Sequence, residues 1–331
     1  MKLIAETAWH HQGDIHFFRE LIAAIGELAV HDMLKFHVTI DFDAYMQPDH
    51  PAFATLKRWL ISPSEWDDLL KTASRGGELM LLYNDTAAVE FGQRFRPALT
   101  EIHAVNLNNI HLLDCLKNNL EKGQKVVLGI GGNELEDIDL ALNRVAWDDA
   151  VLMFGFQNYP TRLETVNFRK MRRVMERYPS LEFGYADHCA WNEPDNLLVT
   201  IMGAALGMAY IEKHVTLEPG VERCDWQSCI SLEQLAELRR MLDVLVQCQG
   251  DGSLALSEAE REYGKMGLMK ALAVTARPLV DGSVLAEQDI RFTRSGATTD
   301  VSQREVLNMI GRTVATDLAA GTVLQRTHFA K

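Results

Sequence analysis

Positive charge is what this chain most lacks. Lys and Arg number 33 against 46 Asp and Glu, a formal net charge of −13. A chain of that sign has no global field with which to grip a polyanion, so sequence-independent nucleic-acid binding is excluded. Any phosphorylated ligand has to be met by local cations instead. Long apolar runs are missing too: none approaches the ~20 residues that span a bilayer. The opening residues, Met1 to Asp14, read as a strand with a polar exit rather than a signal peptide, and no membrane association is expected. Cysteines are few: Cys115, Cys189, Cys224, Cys229 and Cys248, an odd number with no CxxC pair. That usage suits reduced thiols in a cytoplasm, with Cys189 a small buried filler. The Gly129-Ile130-Gly131-Gly132 stretch lacks the spacing of a Walker loop or a dinucleotide fingerprint. Its Gly-Gly pair is read either as a tight strand-to-helix turn or as a phosphate cradle made by helix amides.

What is present is an ordinary globular composition, 47% hydrophobic and 24% charged, enough for a sizeable core. Eight short apolar, β-branched-rich runs follow one another, at 3–7, 33–38, 78–84, 101–107, 125–132, 150–157, 182–188 and 210–217. Amphipathic helical stretches separate them, and a further helix at 232–248 follows the last. Eight strand-then-helix units predict a (β/α)8 barrel, an α/β fold, over residues 1–250. Beyond it, 251–270 reads as a helical linker. Residues 271–331 read as a small β-rich module with strand-like pieces at 272–276, 278–282, 290–293 and 322–324.

The chemistry centres on 182–225. Two predicted strands there end in His188 and His214, joined by an Ala- and Gly-rich apolar helix. Parallel strands of one strand–helix–strand unit end at the same sheet edge, so the two imidazoles arrive as neighbours able to share a divalent metal. Taken alone, each would be an ordinary strand-end histidine. The barrel changes that weighting, because its strand ends also carry Glu6, His10, His11, Lys35, His37, His103, Gln157 and Tyr159, with Asp225 in the loop after the last strand. Six of the 11 histidines fall on that one face.

In this order the motifs resemble the sialic acid (nonulosonate) synthase family. Ala5-Glu6-Thr7-Ala8-Trp9-His10-His11-Gln12-Gly13 is similar to the family's opening motif. Lys35 matches its strand-two lysine, and Tyr159-Pro160-Thr161 its motif after strand six. Ala186-Asp187-His188-Cys189 and Ile211-Glu212-Lys213-His214-Val215-Thr216-Leu217 resemble its two histidine motifs. The C-terminal module resembles the family's antifreeze-like (SAF) domain, with Thr293-Arg294-Ser295-Gly296 at the position of a conserved-type turn.

That resemblance implies a cytoplasmic enzyme condensing phosphoenolpyruvate with an N-acetylated aldose to an α-keto sugar acid and phosphate. His188 and His214 would hold Mn2+ or Mg2+. Glu6 and Asp225 would bind sugar hydroxyls, with Glu6 also a proton acceptor. Lys35 would meet the phosphate or carboxylate, Tyr159 would line the pocket, and Asp187 is counted among the substrate ligands. Arg294 would reach across from the partner of a domain-swapped homodimer. The chain also departs from the family. Gly129-Ile130-Gly131 replaces its serine–threonine pair, Ala186 a serine, His103 a lysine and Asn106 a serine. Tyr83 lies where a threonine closes strand three. The phosphate cradle is therefore rebuilt, with His37, His103, Gln157 and the amides near Gly131 placed to substitute. Two other readings stay open: a metal-dependent carbon–carbon lyase or aldolase acting on a non-phosphorylated carboxylate, and a catalytically silent binding relative.

Overall fold

Alternation within a strand sends successive side chains to opposite faces, and eight such strands close on themselves here. The computed structural model describes residues 1–121, 123–145, 150–155, 158–265 and 269–330. The strands are β1 (Lys2–Glu6), β2 (Met33–Val38), β3 (Glu78–Tyr83), β4 (Leu99–Ile102), β5 (Lys125–Gly129), β6 (Val151–Gly155), β7 (Glu182–Ala186) and β8 (Tyr210–His214). They pair in parallel in that order, and β8 returns to β1, making a closed barrel. Ile4, Met33, Met80, Leu99, Val127, Val151 and Tyr210 fill the interior below the site.

The opposite strand faces carry Leu3, Leu34, Phe36, Leu81, Val126, Leu152 and Ile211, buried under the helical layer. That layer comprises α1 (Ile15–Leu28), α2 (Phe42–Tyr45), α3 (Phe53–Arg58), α4 (Pro63–Ala73), α5 (Thr86–Gly92), α6 (Ile110–Asn119), α7 (Leu135–Val145), α8 (Phe168–Arg177), α9 (Asn196–Ala204) and α10 (Leu232–Gln249). Helix α1 shows how sequence sets an element. Asp14 caps it by accepting from the His16 and Phe17 amides, and Phe18, Leu21 and Ile25 recur on one buried face. Each such side chain contributes ~1.5–3 kcal/mol of burial.

Four departures from the sequence-based expectation are physical. Strand β4 begins two residues early and stops at Ile102, because Ala104–Asn106 turns into a 3-10 helix that an extended run would not allow. Strands β5 and β7 end at Gly129 and Ala186, leaving Gly131 and His188 in the loops that follow. Helices α2 and α3 lie in the long connection after β2, where short polar and aromatic stretches gave no period to read. The expected helix from 163 to 178 is split. Asn167, with positive φ, caps α8 after a 3-10 turn at Leu163–Thr165.

The chain divides into two compact units, Met1–Gly250 and Asp251–Lys331. The second unit begins with α11 (Glu258–Lys265), inside the stretch read as a helical linker; residues 266–268 lie outside those described. It continues with β9 (Leu272–Thr275), β10 (Ile290–Thr293) and α12 (Gln303–Leu307). β9 and β10 form an antiparallel pair, while the expected strands at 278–282 and 322–324 contribute only isolated bridges, Leu279 to Leu318 and Val323 to Val274. Leu285, Val301, Val306, Val314, Leu324 and Phe329 make its own small core. No helix among the described residues is long and apolar enough to cross a membrane.

Candidate active site

At the carboxyl ends of the strands, the inward positions turn from apolar to ionisable. Two residues above interior Ile4 stands Glu6, and the same step leads from Met33 to Lys35 and His37, from Leu99 to Glu101 and His103, and from Tyr210 to Glu212 and His214. Register fixes their neighbours: Glu6 stands opposite Lys35 on β2 and opposite His214 on β8. These residues, with Gly129, Gly131, Met153, Gly155, Tyr159, Ala186 and His188, line one pocket.

His188 and His214 do arrive as neighbours. Their rings lie 4.9 Å apart, nearly perpendicular, and the Tyr159 ring packs 4.7 Å from His188 and 5.8 Å from His214. Glu6 completes a triad with them, its ligand atom and theirs all within 4.8 Å of one another. Two imidazoles and a carboxylate, all buried, suit a divalent ion with open positions left for water or substrate. The structure thus gives Glu6 a place beside the two histidines that the sequence reading reserved for sugar binding and proton acceptance.

Glu6 is also the hub of the local electrostatics. Its Oε1 lies 2.6 Å from His37 Nε2 and 3.1 Å from Lys35 Nζ, and its Oε2 lies 2.9 Å from His214 Nε2. Burial pushes its carboxyl up, but Lys35 and His214 bring it well below the usual carboxylate range. A carboxylate held so firmly is a weak proton acceptor. For His214, burial opposes the charge, yet the Glu6 carboxylate lifts the ring to about 10. Burial drives His103 the other way, to about 3, so that its ring is neutral.

Lys35, expected to meet substrate, lines the pocket among acidic side chains. Its Nζ lies 2.7 Å from Glu101 and 2.9 Å from Glu212 as well as 3.1 Å from Glu6. Glu101 and Glu212 escaped the sequence reading. Each sits two residues before a recognised histidine, and strand alternation alone places both inward. Burial raises both carboxyls, Glu212 well above its ordinary value.

Asp187 corrects an expectation. It is odd-phased relative to Ala186 and His188, so it faces α9 rather than the pocket, and it is fully buried. Its Oδ2 lies 3.0 Å from Lys213 Nζ and accepts from Thr200 at 2.5 Å, while Oδ1 accepts from the Tyr185 hydroxyl and the Cys189 amide. Lys213 also donates to Asn196. With these partners inside the protein, Asp187 ties β7 and β8 to α9.

His10 and His11 likewise leave the site. His10 is buried between the Cys224 carbonyl and Thr216, and His11 stacks 4.5 Å from Phe18 while accepting from the Gly13 amide. Asp225 has positive φ, opens the 3-10 turn Trp226–Ser228, and lies near enough to Tyr159 to raise its hydroxyl after burial has done so. Gln157 lies outside the described residues. Arg294 is exposed directly after β10 in the second unit. The Gly131-Gly132 pair is a tight turn: a Cβ on Gly131 would stand 1.7 Å from the Gly155 carbonyl oxygen, and Gly132 has φ 76°.

Comparison with known proteins agrees with this frame. The sequence pattern of the NeuB family matches residues 37–253, and that of the SAF domain matches 270–330. The chain is 24% identical to the N,N'-diacetyllegionaminic acid synthase of Legionella pneumophila, over 98% of this chain and 94% of that one. It is 20% identical to human N-acetylneuraminate-9-phosphate synthase, over 94% and 88% of the two chains. Among solved structures, a putative spore coat polysaccharide biosynthesis protein E from Chromobacterium violaceum shares the fold over the full length of both chains, with a TM-score of 0.83 at 18% identity. With its barrel and its C-terminal module each matched in order, the chain belongs to the NeuB family of sialic acid synthases and is an enzyme of the synthase type.

Proposed function

We propose that this enzyme condenses phosphoenolpyruvate with the open-chain aldehyde of an N-acetylated aminosugar. The products are a sialic-acid-like α-keto sugar acid and inorganic phosphate. The observation that carries the proposal is the buried triad Glu6, His188 and His214 at the carboxyl mouth of the barrel, in a chain whose relatives are named as nonulosonate synthases. The triad would hold Mn2+ or Mg2+, which when bound supplies Lewis acidity toward an aldehyde oxygen and toward water.

The chain's own residues do the rest. Lys35 and His37 keep Glu6 ionised and aimed at the two histidines. Tyr159 packs against both imidazoles and walls the pocket on one side. Neutral His103 offers a hydrogen bond without adding charge. Asp225 is the candidate for sugar hydroxyls. The active form is a homodimer in which Arg294 of one protomer serves the other's barrel. Functionally the chain divides into a barrel at 1–250, a connector at 251–270 and the SAF module at 271–331. A reducing cytoplasm suits its five free cysteines.

A second reading, a metal-dependent aldolase using a non-phosphorylated carboxylate donor, is favoured by one observation. Lys35 is the sole Lys or Arg among the described lining residues, and carboxylates already surround it. A free-phosphate assay with phosphoenolpyruvate and a panel of N-acetylated hexosamines separates the two. Phosphate release that requires an aldose supports the synthase. Turnover of pyruvate with the aldose, and none of phosphoenolpyruvate, establishes the aldolase.

A further inference from the structure

Lys35 sits at the floor of the pocket, 2% exposed. An ammonium has three protons to donate, and three carboxylates surround this one, at 2.7, 2.9 and 3.1 Å. Its hydrogen bond goes to Glu212, and Glu6 and Glu101 flank it as ion-pair partners, so an incoming anion meets an ammonium already ringed by acidic side chains. The three partners are not equivalent. Glu6 is shared with His37 and His214, and Glu212 with Glu6. Glu101 Oε2, the nearest of the three, makes its one ion pair with Lys35. Among the other lining residues, Ala104, Gly129, Gly131, Gly155 and Ala186 carry no side-chain donor, and the donors that remain are imidazoles and the Tyr159 hydroxyl rather than a second Lys or Arg.

We propose that Glu101 is a specificity-determining residue: by occupying the pocket's single lysine, it weakens the hold of the site on phosphate groups. Breaking the Lys35–Glu101 pair to admit a phosphate dianion would leave a buried carboxylate unpaired beside a second anion, an arrangement that buried charges do not tolerate. The pocket therefore recognises its donor chiefly through other atoms, and inorganic phosphate does not linger in it. This goes beyond the proposed reaction and holds for either donor.

The test is isothermal titration of inorganic phosphate into the full chain, with magnesium and in parallel with EDTA. Wild type, Glu101→Gln and the double variant Glu101→Gln/Lys35→Met are compared. Glu101→Gln should bind phosphate about ten- to a hundred-fold more tightly than wild type, the worth of one charge-assisted hydrogen bond. The gain should vanish in the double variant. No gain in Glu101→Gln, or a gain that survives loss of Lys35, overturns the proposal. Submillimolar phosphate binding by the wild type in EDTA overturns it as well, independently of how any variant folds.

Discussion

Glu6 Oε2 lies 2.9 Å from His214 Nε2, and strand register sets the same two residues opposite each other on β1 and β8. The contact is therefore built into the sheet rather than left to side-chain chance. Replacing Glu6, His188 or His214 by Ala should lower manganese affinity by at least about a hundred-fold, as loss of a ligand exceeds the 10–100-fold cost of an outer partner. Equilibrium dialysis with metal analysis reads this, with circular dichroism to confirm the barrel. Undiminished metal binding in all three variants would remove the triad from consideration.

Asp187 and Lys213 are both fully buried and bonded to each other. Asp187→Ala leaves an unpaired ammonium in the layer under α9, at a cost of about 3–5 kcal/mol. Urea unfolding measures it. Combining the change with Lys213→Met should recover much of the loss, because the charge left stranded is then gone. An Asp187→Ala protein as stable as wild type would contradict the network.

Acid should destabilise the fold through histidines outside the Glu6–His188–His214 triad. Burial lowers His10 to about 4, and His11 and His103 to about 3 each. These rings are neutral when folded and take up protons on unfolding once the pH drops below ~6.5, their ordinary value. Their contribution is therefore intact above that pH and is lost as pH falls toward 4. Each proton adds a slope of about 1.4 kcal/mol per pH unit. Stability curves between pH 7 and 4.5 test this, and His11→Asn should flatten the slope by one proton. An unchanged slope in that variant would show that His11 is not buried neutral.

Gly131→Ala places a methyl 1.7 Å from the Gly155 carbonyl oxygen. Backbone on that side must shift, which should cost about 3 kcal/mol or more and misalign the loops over the pocket. Gly132→Ala meets no neighbouring atom within 4 Å and strains only its φ of 76°, at about 1 kcal/mol. Thermal melts of the two should differ in that order.

Inactive Arg294→Ala and His214→Ala proteins, mixed under subunit exchange, should regain activity if each barrel is completed by the partner's Arg294. Mixed dimers then contain one site with every residue intact. No recovery despite demonstrated exchange would place Arg294 outside the site.

The barrel was legible because its signal is repetitive. Eight apolar runs alternating with amphipathic helices leave few other architectures, and β2 and β10 fall at the expected residues. The paired histidines were legible for the same reason, since parallel strands end together. Asp187 was misread, and Glu101 and Glu212 were passed over, because motif resemblance names residue types without facing. Facing is a matter of parity, and parity from His188 and His214 sends Asp187 out and Glu212 in. Glu101 was hidden by a boundary error: placed at the start of a strand that truly begins at Leu99, it looked peripheral. His10 and His11 cluster with the others in sequence, but the turn after β1 carries their rings behind the wall, where Phe18 and Thr216 receive them. Nothing local in the chain encodes that turn's direction.

The triad draws one residue from the first strand and two from around the last pair. Glu6 enters the site only when β1 has docked against β8, the contact of longest sequence separation in the barrel. A nascent chain that has made seven strands holds no complete ligand set, whatever ion surrounds it. Metal capture by this triad would thus be conditional on ring closure, and an ion bound there would clasp the two ends of the barrel. Loss of the ion would be felt first at the β1–β8 seam, where amide hydrogen exchange would register it.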